Sequence, residues 1–317
     1  MAAPPTSEEV TNGAEPPSGD EGATGAAPVT PRPRHARSEG AKAHGLLGPT
    51  TIWLTLFLLA PLVIVIWYSV GTRGVINPVQ HPGGKLNWSN FSRALDPSFL
   101  PIFIRTVAYA AATTVASLIL GFPLAYVIAR FGGTWKNVLL GLIILPFWTS
   151  YLVRMYAWRF ILDENGLANT VLGSLGLGRN HQFTNTHWAV VLGLTYGFLP
   201  FMVLPLYASL ERMDAGLIEA AYDLGSNRFS TFWRITFRTS LPGVVAGVLL
   251  TFIPALGDFV TPQLLGGTRT QTFGSTIQDQ FGQGQNWPLG SAMAVLLMAF
   301  ILVGVFVYTS RVGEDVL

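Results

Sequence analysis

From about Thr51 onward the chain alternates between long uncharged runs and short polar connectors. The runs are approximately Thr51–Val70, Thr106–Ala129, Val138–Val153, Trp188–Leu210, Thr239–Gly257 and Pro288–Ser310. A helix that crosses the ~30 Å hydrocarbon layer needs about 20 residues. Most of these runs are long enough. Val138–Val153 is short and must extend past Arg154 towards Trp158, and Thr239–Gly257 must run past Asp258. The expectation is an all-α integral membrane protein with six transmembrane helices. A transmembrane barrel is disfavoured, because the runs are continuous rather than alternating with period two. Residues 1–49 have no apolar periodicity and are rich in Ala, Pro, Gly, Ser and Thr. They cannot bury enough surface to offset their ordering entropy and read as a disordered tail. The stretch is too long for a signal-peptide n-region, and no A-x-A-like cleavage site follows it. The expected layout is the tail 1–49, a membrane domain 50–310 and a short tail 311–317.

Composition agrees. Half the chain is apolar and 11% is charged, where an ordinary soluble domain is about 25% charged. A net charge of +2 leaves no electrostatic footprint for nucleic acid. With no cysteine there is no disulfide, thiolate metal site or cysteine nucleophile, and the scattered histidines form no metal-binding motif. No cofactor is expected. Six spans put both termini on one side. With the tail inside, the inner segments hold the larger share of the 19 Lys and Arg, including Arg32, Arg34, Arg37 and Lys42 just before the first run. The positive-inside rule therefore favours cytoplasmic termini.

The most charged connector of the membrane part, residues 211–240, reads as helix, turn, helix. Leu210, Met213, Leu217, Ala221 and Leu224 recur at spacings of three or four. Gly225 follows them, where a left-handed C-cap residue belongs. A second stripe holds Phe229, Phe232, Trp233 and Phe237. Two small residues, Ala220 and Ala221, stand beside the Glu219 carboxylate, so another backbone could approach closely. From the pattern alone two readings stand: an amphipathic loop on the bilayer surface, or a docking element for another protein.

The segment EAAYDLGSNRFSTFWRI resembles the EAA signature of ABC importer permeases, with matches at Glu219, Ala220, Ala221, Gly225 and Ile235. Its place between the fourth and fifth spans makes the match specific. Leu145–Trp158, Leu199–Asp214, Gly257–Gly267 and Asn286–Ala292 are similar to the spermidine/putrescine permease branch, and the likeness runs from about Thr51 to Arg311. The resemblance implies a type I ABC importer permease fold, whose shared core would cover about 102–310 with the first helix added outside it. It also implies a coupling helix seated in a separate ATPase, with Glu219 as polar anchor, Ala220 and Ala221 as the close-packed face and Gly225 as the turn. The implied partners are a second permease, two copies of the ATPase and an extracytoplasmic binding protein. The implied cargo is a small cationic solute such as spermidine or putrescine. One departure is that Phe237-Arg238 stand where the family usually has Leu-Pro, a proline following only at Pro242.

The chain carries no phosphate-cradling G-x-x-x-x-G-K-[ST] motif and no catalytic cluster. It is therefore not expected to be an enzyme, and the energy for transport must come from another polypeptide or an ion gradient. Asp258 is the acidic residue that interrupts an apolar run. It lies about 24 Å along the helix from Pro242 at ~1.5 Å per residue, towards the outer face. An acid at membrane depth is a functional candidate. Its alternative roles are capping a loop or pairing with Arg154 or Arg159. Phe147, Trp148, Tyr151 and Tyr196 form a candidate aromatic lining, since aromatic faces attract ammonium groups. Trp and Tyr also serve as interfacial anchors, and both readings stand. A rival from another class, an ion-driven secondary transporter, predicts several buried ionisable residues and an internal repeat, and neither is evident here. A membrane scaffold without transport is the other rival. Gly121, Gly141, Gly193, Gly197 and Gly247 are expected at close helix contacts.

Overall fold

The computed structural model describes residues 36–74, 79–81, 84–177, 181–214 and 216–316, and their side chains from Pro49 to Ser310. Most of the segment read as a tail lies outside the described residues. Two units are distinguished, Met1–Leu56 and Phe57–Leu317. Residues 36–56 of the first are helical, and the second opens on helix as well, the two stretches being assigned together as α1 (Ala36–Ser69). Helical backbone thus begins well before the apolar run.

The second unit continues with α2 (Ser89–Ala94), α3 (Leu100–Phe131), α4 (Lys136–Ile144), α5 (Tyr151–Leu162), α6 (Leu167–Ser174) and α7 (His187–Glu211). The short helices α8 (Gly216–Asp223), α9 (Arg228–Thr231) and α10 (Phe237–Thr239) follow. Then come α11 (Leu241–Gly257), α12 (Val260–Leu265), α13 (Phe273–Phe281) and α14 (Trp287–Val316). Among the described residues β structure is confined to one isolated bridge, Thr72 with Gln80.

Four helical stretches are long and apolar enough to cross a membrane individually: Pro49–Ser69, Pro97–Phe131, His187–Glu211 and Trp287–Ser310. Two further candidates are bent pairs. Gly133–Trp148 and Tyr151–Ser174 meet at 91°, and Arg228–Thr239 and Leu241–Gly257 meet at 65°. The expected straight third helix is therefore broken. Pro146 opens a tight turn over Leu145–Trp148, where its missing N–H cannot continue the ladder. Thr149 and Ser150 then adopt extended backbone before α5 starts. The fifth run also stops earlier than expected, at Gly257, because Asp258 is extended with ψ 125°.

Elements begin where side chains satisfy the free N–H groups of a first turn. Asp96 accepts from the Ser98 N–H at 2.9 Å just ahead of α3, Thr186 from Ala189 ahead of α7 and Thr272 from Ser275 ahead of α13. Helices α3, α7 and α11 pack around Phe122, Ala125, Met202, Val203, Leu206 and Val244. Gly243 makes the contact between α7 and α11 possible. A Cβ there would lie 2.6 Å from the Pro205 carbonyl oxygen and 3.2 Å from Leu206 Cα. Gly121, Gly193, Gly197 and Gly247 are crowded in the same sense, whereas Gly141 faces open space, contrary to expectation. A second cluster joins α13 and α14 through Phe273, Leu289, Met293 and Leu297. Large apolar side chains of α1 and α14 stay exposed, as suits faces turned to hydrocarbon or to another membrane chain.

Candidate functional site

Two places carry the side chains singled out above: the hairpin between α7 and α11, and the junction of α5, α11 and α12.

The hairpin has the expected helix–turn–helix backbone, but its apolar stripe splits: Leu210, Met213 and Ala221 are buried, whereas Leu217 and Leu224 are exposed. Asp214 Oδ1 accepts from the Gly216 N–H at 2.9 Å as α8 starts. At the other end Gly225 has φ +78°. Its N–H reaches the Tyr222 carbonyl at 2.9 Å and that of Ser226 the Ala221 carbonyl at 3.0 Å, the paired bonds of a Schellman cap. Asn227 then caps α9 by accepting from Ser230 at 2.7 Å. A π turn over Phe232–Thr236 leads into α10.

Burial sorts the signature residues. Ala221 is only 7% exposed and packs inward, while Glu219, Ala220 and Gly225 are exposed. The two alanines thus lie on different faces, and Ala220 is the small residue left for a close approach from outside. Around it Leu217, Tyr222, Leu224 (89% exposed) and Phe229 also stand outward. An apolar rim about a carboxylate and an alanine is a surface that water covers poorly.

The base of the hairpin is tied to the helices by contacts that sequence reasoning missed. Lys136 Nζ, at the start of α4, pairs with Glu211 Oε1 at 2.8 Å. Arg130 Nη2, at the end of α3, donates to the Met213 carbonyl at 3.2 Å. Phe232 and Phe237 pack on Phe122 of α3, with centroids 5.4 and 5.8 Å away. These contacts tie the segments before and after α8 to α3 and α4. Gly225→Val is expected to strain the cap by about 1–2 kcal/mol, Gly225→Asn by less. Limited proteolysis across residues 224–229 should show the Val variant cleaved faster.

At the second place Asp258 is 9% exposed and fully engaged. Oδ1 accepts from the Val260 N–H at 2.8 Å. Oδ2 faces the Tyr151 hydroxyl at 2.7 Å and the Thr261 hydroxyl at 2.5 Å, and those two hydroxyls are 2.6 Å apart. Two hydroxyl protons serve three contacts, a compact network linking α5 to the α11–α12 break. From the position before the N-cap, Asp258 thus accepts from the N–H of the first residue of α12, a role akin to the loop capping that was the first of its two alternatives. The other is absent: among the described residues no ion pair joins Asp258 to Arg154 or Arg159, and Arg159 instead donates to the Leu264 carbonyl at 3.0 Å.

The aromatic candidates separate. Tyr151 is in the network, and Gly197 of α7 gives it room, since a Cβ at 197 would lie 2.9 Å from its ring. Phe147 stacks edge-on against Phe201 at 5.3 Å. Tyr196 packs edge-on against Trp158 at 5.4 Å, and both lie against the same buried cluster as Tyr151. Trp148 is 88% exposed. Arg154, which the sequence offered only as a partner for Asp258, lies instead over the rings of Phe147 and Tyr151 at 4.8 and 5.3 Å. Among the described residues no group of His, Asp or Glu is arranged to hold a metal ion.

Residues 117–311 match the family described as binding-protein-dependent transport system inner membrane component. The chain is 35% identical to the spermidine/putrescine transport system permease protein PotB of Haemophilus influenzae, over 81% of this chain and 89% of that protein. It is 36% identical to PotB of Escherichia coli strain K12, over 81% of this chain and 92% of that one. Among solved structures, a chain of a bacterial alginate ABC transporter, in complex with an alginate pentasaccharide-bound periplasmic protein, superposes with a TM-score of 0.70. That match covers 87% of this chain and 96% of the other at 16% identity, so it speaks to fold.

Proposed function

The chain belongs to the binding-protein-dependent transport system inner membrane components, multi-pass proteins of the plasma membrane, and from that premise we propose that it forms one half of the pore of a type I ABC importer for spermidine or putrescine. The observation that carries the cargo is 35–36% identity to spermidine/putrescine permeases along nearly their whole length.

In this reading each bent helix pair crosses the bilayer as one span, giving six spans with both termini in the cytoplasm. The hairpin then faces the cytosol, where an ATPase can grip it. The assembly contains a second, similar permease, two ATPase copies and an extracytoplasmic binding protein that delivers substrate. Closure of the ATPase pair pushes α8. The Lys136–Glu211 pair, Arg130 and the Phe122 contacts carry that push into α3, α7 and α11, and access to the pore alternates. Glu219 and Ala220 contact the ATPase, Gly225 fixes the turn and Ala221 anchors α8 to its own chain.

The solute pathway runs by the α5–α11–α12 junction, with Asp258, Tyr151 and Phe147 as its polar and aromatic wall. Tyr196 and Trp148 flank it. An ammonium group gains from a carboxylate and from aromatic faces, the latter by about 0.5–2 kcal/mol each. Such weak, divided attraction suits a site that must also release.

The test is reconstitution of the full assembly in proteoliposomes with labelled spermidine. Uptake should require ATP, the ATPase and the binding protein. Uptake driven by an ion gradient without ATP would sink the reading. Asp258→Asn should slow spermidine uptake several-fold while all subunits still co-purify, and unchanged uptake kinetics would remove Asp258 from the pathway.

A further inference from the structure

Arg154 is an unusual cation for its setting. It is 9% exposed, yet Nε and Nη1 are buried without a hydrogen-bond partner among the described residues. Buried charges are ordinarily paired and fully hydrogen-bonded. The nearby carboxylate does not supply this, because Asp258 is taken up by Tyr151, Thr261 and the Val260 N–H. The backbone opposes the charge as well. Arg154 lies in the first turn of α5, its N–H bonded to the Ser150 carbonyl at 3.2 Å, and the positive end of a helix dipole disfavours a cation there. What holds the guanidinium is its position over the Phe147 and Tyr151 rings, at 4.8 and 5.3 Å. Both lie within the ~6 Å reach of a cation–π contact.

These are the same aromatic faces that a substrate ammonium would use. We propose that Arg154 is a resident cation occupying the ammonium site formed by Phe147 and Tyr151, and that a polyamine ammonium enters by displacing it. The inference rests on the polyamine reading above and adds how the site is kept filled between substrates. A guanidinium held by two rings and no carboxylate is displaceable, and its flexible stem lets it swing aside. Once displaced it stays tethered nearby, where its repulsion helps the ammonium leave.

Two measurements test this on the complete permease–ATPase complex in nanodiscs. In the first, equilibrium binding of labelled spermidine without the binding protein is compared between wild type and Arg154→Gln. The neutral variant should bind about tenfold more tightly, and adding Phe147→Leu should take the gain back. Equal or weaker binding by Arg154→Gln overturns the proposal. The second needs no variant: saturating spermidine should raise phenylglyoxal modification of Arg154 in the wild-type complex several-fold, read by peptide mass spectrometry. Unchanged or reduced modification overturns it as well. Spermidine uptake by the wild-type assembly tests the underlying function separately, so with uptake intact either negative result falls on Arg154 alone.

Discussion

Glu219→Arg is expected to abolish recovery of the ATPase with the permease while leaving the membrane domain folded. Glu219 is exposed on α8 beside Ala220, and among the described residues its side chain has no hydrogen-bond or ion-pair partner, so reversal costs the hairpin little beyond a favourable charge in the first turn of α8. In the assembly the same side chain would be desolvated against the ATPase. Removing one member of a buried interfacial charge pair loses about 2–5 kcal/mol, or about 30-fold or more in affinity. Reversal adds repulsion to that loss. Co-purification through a tag on the permease, with size-exclusion elution as the folding control, reads the result. An ATPase that still elutes with Glu219→Arg would show that α8 is not where the engine binds.

Gly243→Val should produce the second large effect, this time on the fold. A Cβ at 243 would meet the Pro205 carbonyl oxygen at 2.6 Å, Ser209 Cβ at 2.6 Å and Leu206 Cα at 3.2 Å. Two of these are main-chain atoms of α7 and cannot rotate away, so α11 must separate from α7. Overpacking of this kind costs about 1–3 kcal/mol, and loss of the ridge-to-groove contact adds to it. The expected outcome is a sharp drop in monodisperse permease after mild heating, followed by fluorescence-detected size exclusion. Gly141→Val is the matched control. A Cβ at 141 meets nothing within 4 Å, and that variant should behave as wild type.

That pair of glycines marks the limit of what the sequence could convey. The runs, their order and the hairpin were legible because each depends on local pattern: apolar length, helical spacing and a glycine where the backbone turns left-handed. Gly225 is such a case, its φ of +78° foreseeable from its place after the stripe. Gly141 and Gly243 look alike in sequence, and only the helix partner across the interface tells them apart. The break at Thr149–Ser150 was signalled by Pro146 but masked by the apolar residues on both sides. Ala221 turns inward and Ala220 outward because neighbours on a helix are about 100° apart, yet which one meets its own chain depends on how α8 docks. The Asp258 network was half visible. The acid stood out, but Tyr151 and Thr261 became its partners only through the fold. Arg154 was seen as a counter-charge, whereas the fold puts two aromatic rings under it.

The central claim is that the α8 hairpin lies in the cytosol against an ATPase. The natural chain contains no cysteine, so Ala220→Cys carries a single thiol on the outward face of α8. A short thiol-directed cross-linker applied to inverted membrane vesicles of cells expressing the complete importer reads its neighbour directly. The account predicts a permease–ATPase adduct, and no labelling of that thiol by a membrane-impermeant maleimide in intact cells. Labelling from the outside of intact cells, or adducts found with phospholipid alone, would contradict it.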